Sequence, residues 1–215
     1  MYVCKFAHDT KKGGTSMIKK IGITGPSGSG KSLLSKHLNA VGIPTIDADK
    51  LYHSMLLPPS RCLDALSDVF GKDILKWDGT IDRKILSSRV FSDAKQLKLL
   101  NDTVLPIVLD EIRVLISELE AKGESVVAID APTLIESGFH KECDLTVSVL
   151  ASRATRLCRI SARDNITEEK ATERINAQHD DDFYINASDK VLFNDSDENA
   201  FAMQASELIK FINTL

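Results

Sequence analysis

Ile18-Lys-Lys-Ile-Gly-Ile-Thr-Gly-Pro-Ser-Gly-Ser-Gly-Lys-Ser32 decides the architecture of this 215-residue chain. Residues 18–24 form a short run of β character that stops at a glycine. Gly25-x-x-x-x-Gly30-Lys31-Ser32 follows with the spacing of a phosphate-binding loop, and residues 31–41 read as a helix, which is the context that spacing requires. Each residue type has a physical reason. Glycines such as Gly25, Gly28 and Gly30 allow backbone conformations that aim successive N–H groups at one anion and let the chain approach closely. The helix start adds the positive end of its dipole. Lys31 puts a point charge on the β- and γ-phosphates of a nucleoside triphosphate, and the Ser32 hydroxyl is suited to magnesium. With glycine near 7% of residues, the four specified positions coincide by accident in roughly one chain of this length in a hundred. The strand–loop–helix context lowers that further, so the loop implies ATP with magnesium.

Outward from the loop, residues 43–46, 125–129, 144–150 and 191–193 read as further strands, with a helix over 50–57. Strands with helical segments between them imply right-handed βαβ units. The expectation is a three-layer α/β/α P-loop NTPase core with about five parallel strands. Residues 60–122 carry helical pattern and no convincing strand, too long for one crossover. They predict a helical subdomain over the carboxyl edge of the sheet, where open α/β sheets bind ligands. One domain is expected over residues 17–215. Residues 1–16 are polar, lack a signal-peptide core, and are expected to form a disordered tail.

Candidate site residues cluster at predicted strand ends. Asp47 and Asp49 follow the second strand, on the edge that carries the loop. A kinase needs a carboxylate there to accept the proton of the attacking hydroxyl and to help hold magnesium. Helix capping, with Asp47 as N-cap and Asp49 as a first-turn dipole partner, is the competing account. Asp130 closes the apolar run Val126-Val-Ala-Ile-Asp130, the usual form of the second magnesium-side element, or else a turn residue. Arg156, Arg159 and Arg163 fall on one helix face. They form either a solvated stripe or a lid over about residues 153–178 whose guanidiniums close on the moving phosphoryl group. His53 stands four residues after Asp49, within reach of it or solvated. His179 with Asp180-Asp-Asp182 reads as a solvated acidic loop, because adjacent carboxylates diverge on any regular element.

Composition narrows the partners. A hydrophobic fraction of 43%, a charged fraction of 27% and a net charge of −4 describe a globular chain without a broad basic surface, so no nucleic acid is expected. No apolar run approaches the ~18 residues of a membrane span. The four cysteines have neither metal-like nor disulfide-framework spacing, which fits a reducing cytoplasm. A monomer or weak homo-oligomer is expected.

Taken together, the segments resemble the dephospho-coenzyme A kinase family. They are Ile21-Gly-Ile-Thr-Gly25 with Ser27-Gly-Ser-Gly-Lys-Ser32, Ile46-Asp-Ala-Asp49, Phe70-Gly71, Asp78-Gly-Thr-Ile-Asp-Arg83, Asp130-Ala-Pro-Thr-Leu-Ile-Glu136, Arg163-Asp164, Arg174-Ile-Asn-Ala-Gln178 and Ser188-Asp-Lys-Val-Leu-Phe-Asn194. The resemblance covers the chain from Ile18 onward, in the family's order. It implies transfer of the γ-phosphate of ATP to the ribose 3′-hydroxyl of dephospho-coenzyme A, the last step of coenzyme A synthesis. It implies that Asp49 is the base and that Lys31 and lid arginines, Arg159 among them, are catalytic. Gly28, Ser29, Gly30, Lys31, Ser32 and Leu33 match the ATP-phosphate loop, and Asn194 matches the segment near the adenine pocket. Magnesium falls to Ser32, Asp47 and Asp130. Departures are Leu33 for a common threonine, Leu105 before Pro106 for a common histidine, and Asp181 and Tyr184 for common basic residues. Two rivals remain: a nucleoside or nucleoside-monophosphate kinase, and a GTP-dependent switch. Asp68-Val-Phe-Gly71 mimics a switch element, but no Asn-Lys-x-Asp guanine-reading motif occurs in the chain.

Overall fold

The computed structural model describes residues 17–90, 93–195 and 197–215; the tail expected over 1–16 lies outside the described residues. Five strands, β1 (Lys19–Thr24), β2 (Thr45–Asp47), β3 (Val126–Asp130), β4 (Leu145–Leu150) and β5 (Lys190–Phe193), form one sheet in the order β2-β3-β1-β4-β5. Every pairing is parallel. A parallel sheet is covered on both faces, and β4 reads accordingly, buried at every position. In β1, Ile21 and Ile23 are fully buried on one face. On the other, Gly22 lets the cover approach closely: a Cβ there would stand 2.6 Å from Leu134 Cδ2.

The two faces explain the layers. Helices α1 (Lys31–Ala40) and α9 (Glu198–Ile212) close one side through Leu34, Leu38, Phe201 and Leu208. On the other, Ile112 and Ile116 of α5 (Ala94–Ala121) pack with Leu134 and Phe139 against Val127 and Ile129. The fold is the expected α/β/α core. Between β2 and β3 the chain is helical: α2 (Ala48–Met55), α3 (Arg61–Phe70), α4 (Arg83–Val90) and α5. These helices enclose an apolar cluster of their own around Leu63, Leu66, Phe70, Ile74 and Leu86. Asp68 to Phe70 lie within α3, and Phe70 belongs to that helical cluster. After β4 come α6 (Arg153–Asp164), α7 (Glu168–Asn176) and α8 (Asp181–Asn186), with Ile160, Ala171 and Ile175 between α6 and α7.

Two local expectations change. β2 spans Thr45–Asp47 and α2 spans Ala48–Met55, where a strand over 43–46 and a helix over 50–57 were expected, so strand and helix abut. The cause is Asp47, whose side chain accepts from the Lys50 N–H at 2.9 Å and starts the helix as soon as the strand ends. The acidic run is not a loop: Asp180 caps α8 by accepting from the Phe183 N–H, and Asp181 and Asp182 occupy the first turn, where the helix dipole favours them.

Register fixes the site. Asp130 of β3 lies level with Ile23 of β1 and with Asp47 of β2. Both acidic strand ends therefore face the loop that leaves β1.

Candidate active site

Residues 25–30 turn from β1 into α1 on a string of positive-φ glycines: Gly25 at 138°, Gly28 at 79° and Gly30 at 104°. Gly30 has no substitute. Besides its left-handed backbone, a Cβ there would meet Asn194 Nδ2 at 2.0 Å. Asn194 is buried beneath the loop, and its Nδ2 donates to the Ser29 carbonyl at 2.9 Å. Arg159 holds the same turn from the other side. Its Nη1 donates to the Gly28 and Ser29 carbonyls at 3.3 Å, and its Nη2 donates to Asn194 Oδ1 at 3.4 Å.

Arg156 braces the start of the loop. It is buried, donates through Nε to the Ser27 carbonyl at 3.1 Å, and through Nη2 to Gln178 Oε1 at 2.7 Å. Gln178 Oε1 in turn accepts from the Ser27 N–H at 3.2 Å. Arg163 reaches the Ser27 hydroxyl at 3.3 Å and pairs with Asp164. The arginine face of α6 is thus turned onto the loop and is not a solvated stripe.

The loop floors a cleft of about 920 Å³ whose lining includes Gly28, Gly30, Lys31, Ser32, Asp47, Asp49, Asp130, Arg159 and Arg163. Lys31 Nζ donates to the Gly25 and Pro26 carbonyls at 2.7 and 3.3 Å. Burial pulls its pKa below the usual lysine value, against the opposing pull of Asp130 and Asp49. Asp130 is buried and accepts from Ser35 Oγ at 2.7 Å. Burial raises its pKa above the ordinary carboxylate value, with the Ser35 hydrogen bond and Lys31 working against the shift and Asp47 and Asp49 adding to it. Asp49 is raised too, by burial and by Asp47, with Lys31 and His53 opposing.

Asp47 caps α2 and pairs with Lys50 at 2.9 Å, so it has the structural role foreseen for it while facing the cleft. Asp49 caps nothing. His53 lies beside Arg83, Nδ1 to Nη2 3.5 Å, and not in a hydrogen bond with Asp49. Asp47, Asp130 and the Ser32 hydroxyl line the same cleft, and their hard, oxygen-only chemistry suits magnesium completed by substrate phosphates and water. Among the described residues no group of three or more His, Cys, Asp or Glu side chains is arranged to hold a metal unaided.

A second hollow of about 670 Å³ shares Asp49 and Pro132 with the cleft. It runs between α2 and the first half of α5, and its walls include Tyr52, Leu97, Leu105 and Val108. Phosphates and an apolar group could therefore be held on opposite sides of one carboxylate, Asp49.

A family model for dephospho-CoA kinase matches residues 19–199. The chain belongs to the dephospho-CoA kinase family. A dephospho-CoA kinase of Corynebacterium glutamicum is 35% identical over 190 residues, 88% of this chain and 95% of the relative. One from Streptomyces avermitilis is 38% identical over 82% of this chain and 85% of its own length. A crystal structure from Thermus thermophilus superposes with a TM-score of 0.76 at 29% identity, covering 90% of this chain and 97% of that one. Dephospho-CoA kinase from Campylobacter jejuni, at 23% identity, shares the fold with a TM-score of 0.62 and coverages of 92% and 98%.

Within this family framework the departures find local explanations. Leu33 packs against the core below α1, and its N–H donates to the Gly30 carbonyl at 2.9 Å. Leu105 gives the second hollow an apolar wall where a histidine is common. Tyr184 is buried, its hydroxyl pushed up to about 12 by burial and then by Glu136, and Asp181 lies 4.0 Å from Arg156. Neither lines the cleft. Sequence reasoning missed Gln178, Arg156 and Ser35 as supports. Gln178 stood inside a quoted segment and Arg156 was named only as part of the arginine face, but nothing in their spacing says that they meet at Ser27.

Proposed function

We propose that this dephospho-CoA kinase carries out its reaction, transfer of the ATP γ-phosphate to the ribose 3′-hydroxyl of dephospho-coenzyme A, at the cleft between the loop and Asp49. The observation that carries this is the shared wall: Asp49 and Pro132 belong both to the phosphate cleft and to the apolar hollow. A donor triphosphate on one side and a long acceptor on the other would meet at that carboxylate.

The loop amides and Lys31 hold the triphosphate, with Gly25, Gly28, Ser29, Gly30, Ser32 and the Leu33 backbone as its cradle. Asn194 acts beneath that cradle, by fixing the Ser29 carbonyl and keeping the neighbouring amides outward. Asp49 orients the 3′-hydroxyl and accepts its proton. Burial and Asp47 raise its pKa, which makes it a better base than an ordinary aspartate. Arg159, with Arg163 beside it, stabilises charge on the moving phosphoryl group and keeps water out. Ser32, Asp130 and Asp47 are the residues that would hold magnesium, which when bound neutralises charge on the β- and γ-phosphates. Positioning is the larger contribution and base catalysis the smaller, because the transition state of phosphoryl transfer is loose.

All these groups come from one chain, so a monomer suffices. The helical region over 60–122 is the acceptor subdomain and 153–178 the lid. No helix among the described residues is long and apolar enough to cross a membrane. Cys62, Cys143 and Cys158 are free thiols, as a cytoplasmic setting allows. The test is ADP release with dephospho-coenzyme A, adenosine and CMP side by side. Turnover of dephospho-coenzyme A alone supports the proposal, and turnover of adenosine or CMP without it would make the chain a nucleoside or nucleotide kinase.

A further inference from the structure

Gln178 grips the phosphate loop with one half of its amide and leaves the other half unused. It lies in the short connection between α7 and α8, directly after Ala177, which caps the end of α7. Both sides of that connection are fixed. His179 Nε2 stands 3.6 Å from Glu136 Oε1, and its ring stacks on Phe183 with centroids 3.8 Å apart. Asp180 caps α8 by accepting from the Phe183 N–H at 3.0 Å. Gln178 is therefore held in place from outside the loop that it touches.

Its partners settle which way the amide points. The Ser27 N–H and Arg156 Nη2 are both donors, so the atom that they meet, at 3.2 and 2.7 Å, must be the oxygen. Nε2 keeps its N–H groups, and among the described residues it has no hydrogen-bond partner. The guanidinium of Arg156 on the amide oxygen also makes Nε2 a stronger donor, because hydrogen bonds in a chain polarise one another.

The position of Gln178 indicates what that donor meets. Gln178 lines the phosphate cleft together with Ser27, Lys31 and Arg163. Lys31 Nζ, the cation suited to the β- and γ-phosphates, rests on the Gly25 and Pro26 carbonyls at 2.7 and 3.3 Å. The Pro26 carbonyl and the Ser27 N–H belong to one peptide unit, so Lys31 and Gln178 hold the same peptide by its two ends. Arg163 Nη2 donates to the Ser27 hydroxyl at 3.3 Å and brings a further cation to that residue. Gln178 thus stands at the terminal-phosphate end of the loop, away from the Ser32 and Leu33 amides.

We propose that Gln178 donates through Nε2 to an oxygen of the ATP γ-phosphoryl group, and is a catalytic residue as well as a brace of the loop. This rests on the reading that the loop holds the triphosphate. The two bonds to Oε1 fix the donor in advance, so it needs no reorganisation when charge spreads over the γ-oxygens in the transition state.

The test measures affinity of the full chain, with magnesium, for a non-hydrolysable ATP analogue and for ADP by calorimetry. Single-turnover transfer to dephospho-coenzyme A and melting curves accompany it, for wild type, Gln178→Glu and Gln178→Ala. Glutamate keeps an oxygen for the Ser27 N–H and Arg156 and puts an anion where the donor was. Gln178→Glu should therefore fold like wild type, yet bind the ATP analogue roughly 10- to 100-fold more weakly, the scale of one hydrogen bond to a charged group. ADP, which lacks the γ-phosphoryl, should lose little affinity, and single-turnover transfer should slow by at least the same factor. Alanine removes both halves of the amide, so it should shift the ratio of the two affinities in the same direction and lower the melting temperature as well. An unchanged ratio of ATP-analogue to ADP affinity in Gln178→Glu, whether both nucleotides bind normally or both weaken equally, would overturn the contact and leave Gln178 a brace alone. If Gln178→Glu does not fold, Gln178→Ala decides by the same ratio. A wild-type chain that binds neither nucleotide would refute the role of the loop itself, which separates that failure from failure of the contact.

Discussion

Replacing Asp49 by Asn separates chemistry from architecture, because of the two carboxylates at the end of β2 only Asp47 caps the start of α2. Asp47 is the N-cap of α2, accepting from the Lys50 N–H at 2.9 Å. Asp49, in the first turn, makes no hydrogen bond of its own among the described residues. What the amide loses is a dipole interaction of about 0.3–1 kcal/mol. What it gains is of opposite sign. Burial and Asp47 raise the pKa of Asp49, so its charged form is less favourable in the folded chain than in the unfolded one. That penalty is absent at low pH and develops as pH rises from the ordinary aspartate value through the raised one. At neutral pH the two effects offset, and Asp49→Asn should change stability by no more than about 1 kcal/mol in either direction. The catalytic loss should be far larger. An amide cannot take the 3′-hydroxyl proton, so single-turnover transfer should slow by ~10²–10⁴-fold, or about 3–5 kcal/mol at 1.36 kcal/mol per decade. Melting and rapid-quench transfer from γ-labelled ATP on one preparation measure both. A wild-type single-turnover rate would end the assignment of Asp49 as base. A destabilisation of several kcal/mol with a proportionate loss of activity would make it a structural residue.

The pH profile follows from the same shift. The acid limb of kcat/KM should lie above the ordinary aspartate range, with activity lost as pH falls through it, and Asp49→Asn should abolish that limb; a limb at the ordinary value would contradict the raised pKa. Lys31→Ala removes the cation that faces the phosphates and should lower kcat/KM by ~10²–10³-fold with the fold intact, measured by steady-state kinetics and melting. Gly30→Ala should both destabilise, by about 1–3 kcal/mol for a side chain held in a left-handed backbone, and weaken ATP binding, because its Cβ would drive Asn194 away from the Ser29 carbonyl. Unchanged melting and ATP affinity would show that the loop tolerates the shift. Asn194→Ala, which leaves a buried Ser29 carbonyl short of a partner, should raise KM for ATP more than KM for the acceptor.

The legible parts of the site were those written in adjacent residues. Loop spacing depends on local backbone geometry, so Gly25 to Ser32 could be identified from the chain alone. Asp47 and Asp130 were legible because parallel strands deliver their carboxyl ends to one edge, and the register puts the two opposite each other. The supports were hidden because they act over distance: Arg156 meets Ser27 across 129 positions, and Asn194 meets Ser29 across 165. No periodicity records such a meeting. The arginine face of α6 could be seen as a face, but its orientation toward the loop is set by packing of Ile160 against Ala171 and Ile175. Asp180 to Asp182 misled because divergent carboxylates argue against a metal site, yet suit the first turn of a helix equally well.

The central claim is that the group receiving the phosphoryl is the ribose 3′-hydroxyl of dephospho-coenzyme A. The direct measurement is the product itself, from wild-type protein with ATP, magnesium and dephospho-coenzyme A, followed by phosphorus NMR alongside ADP release. One phosphomonoester coupled to the 3′ proton of the ribose, formed in equal amount with ADP, is the predicted result. ADP released without that monoester, or a monoester at another hydroxyl, would contradict it.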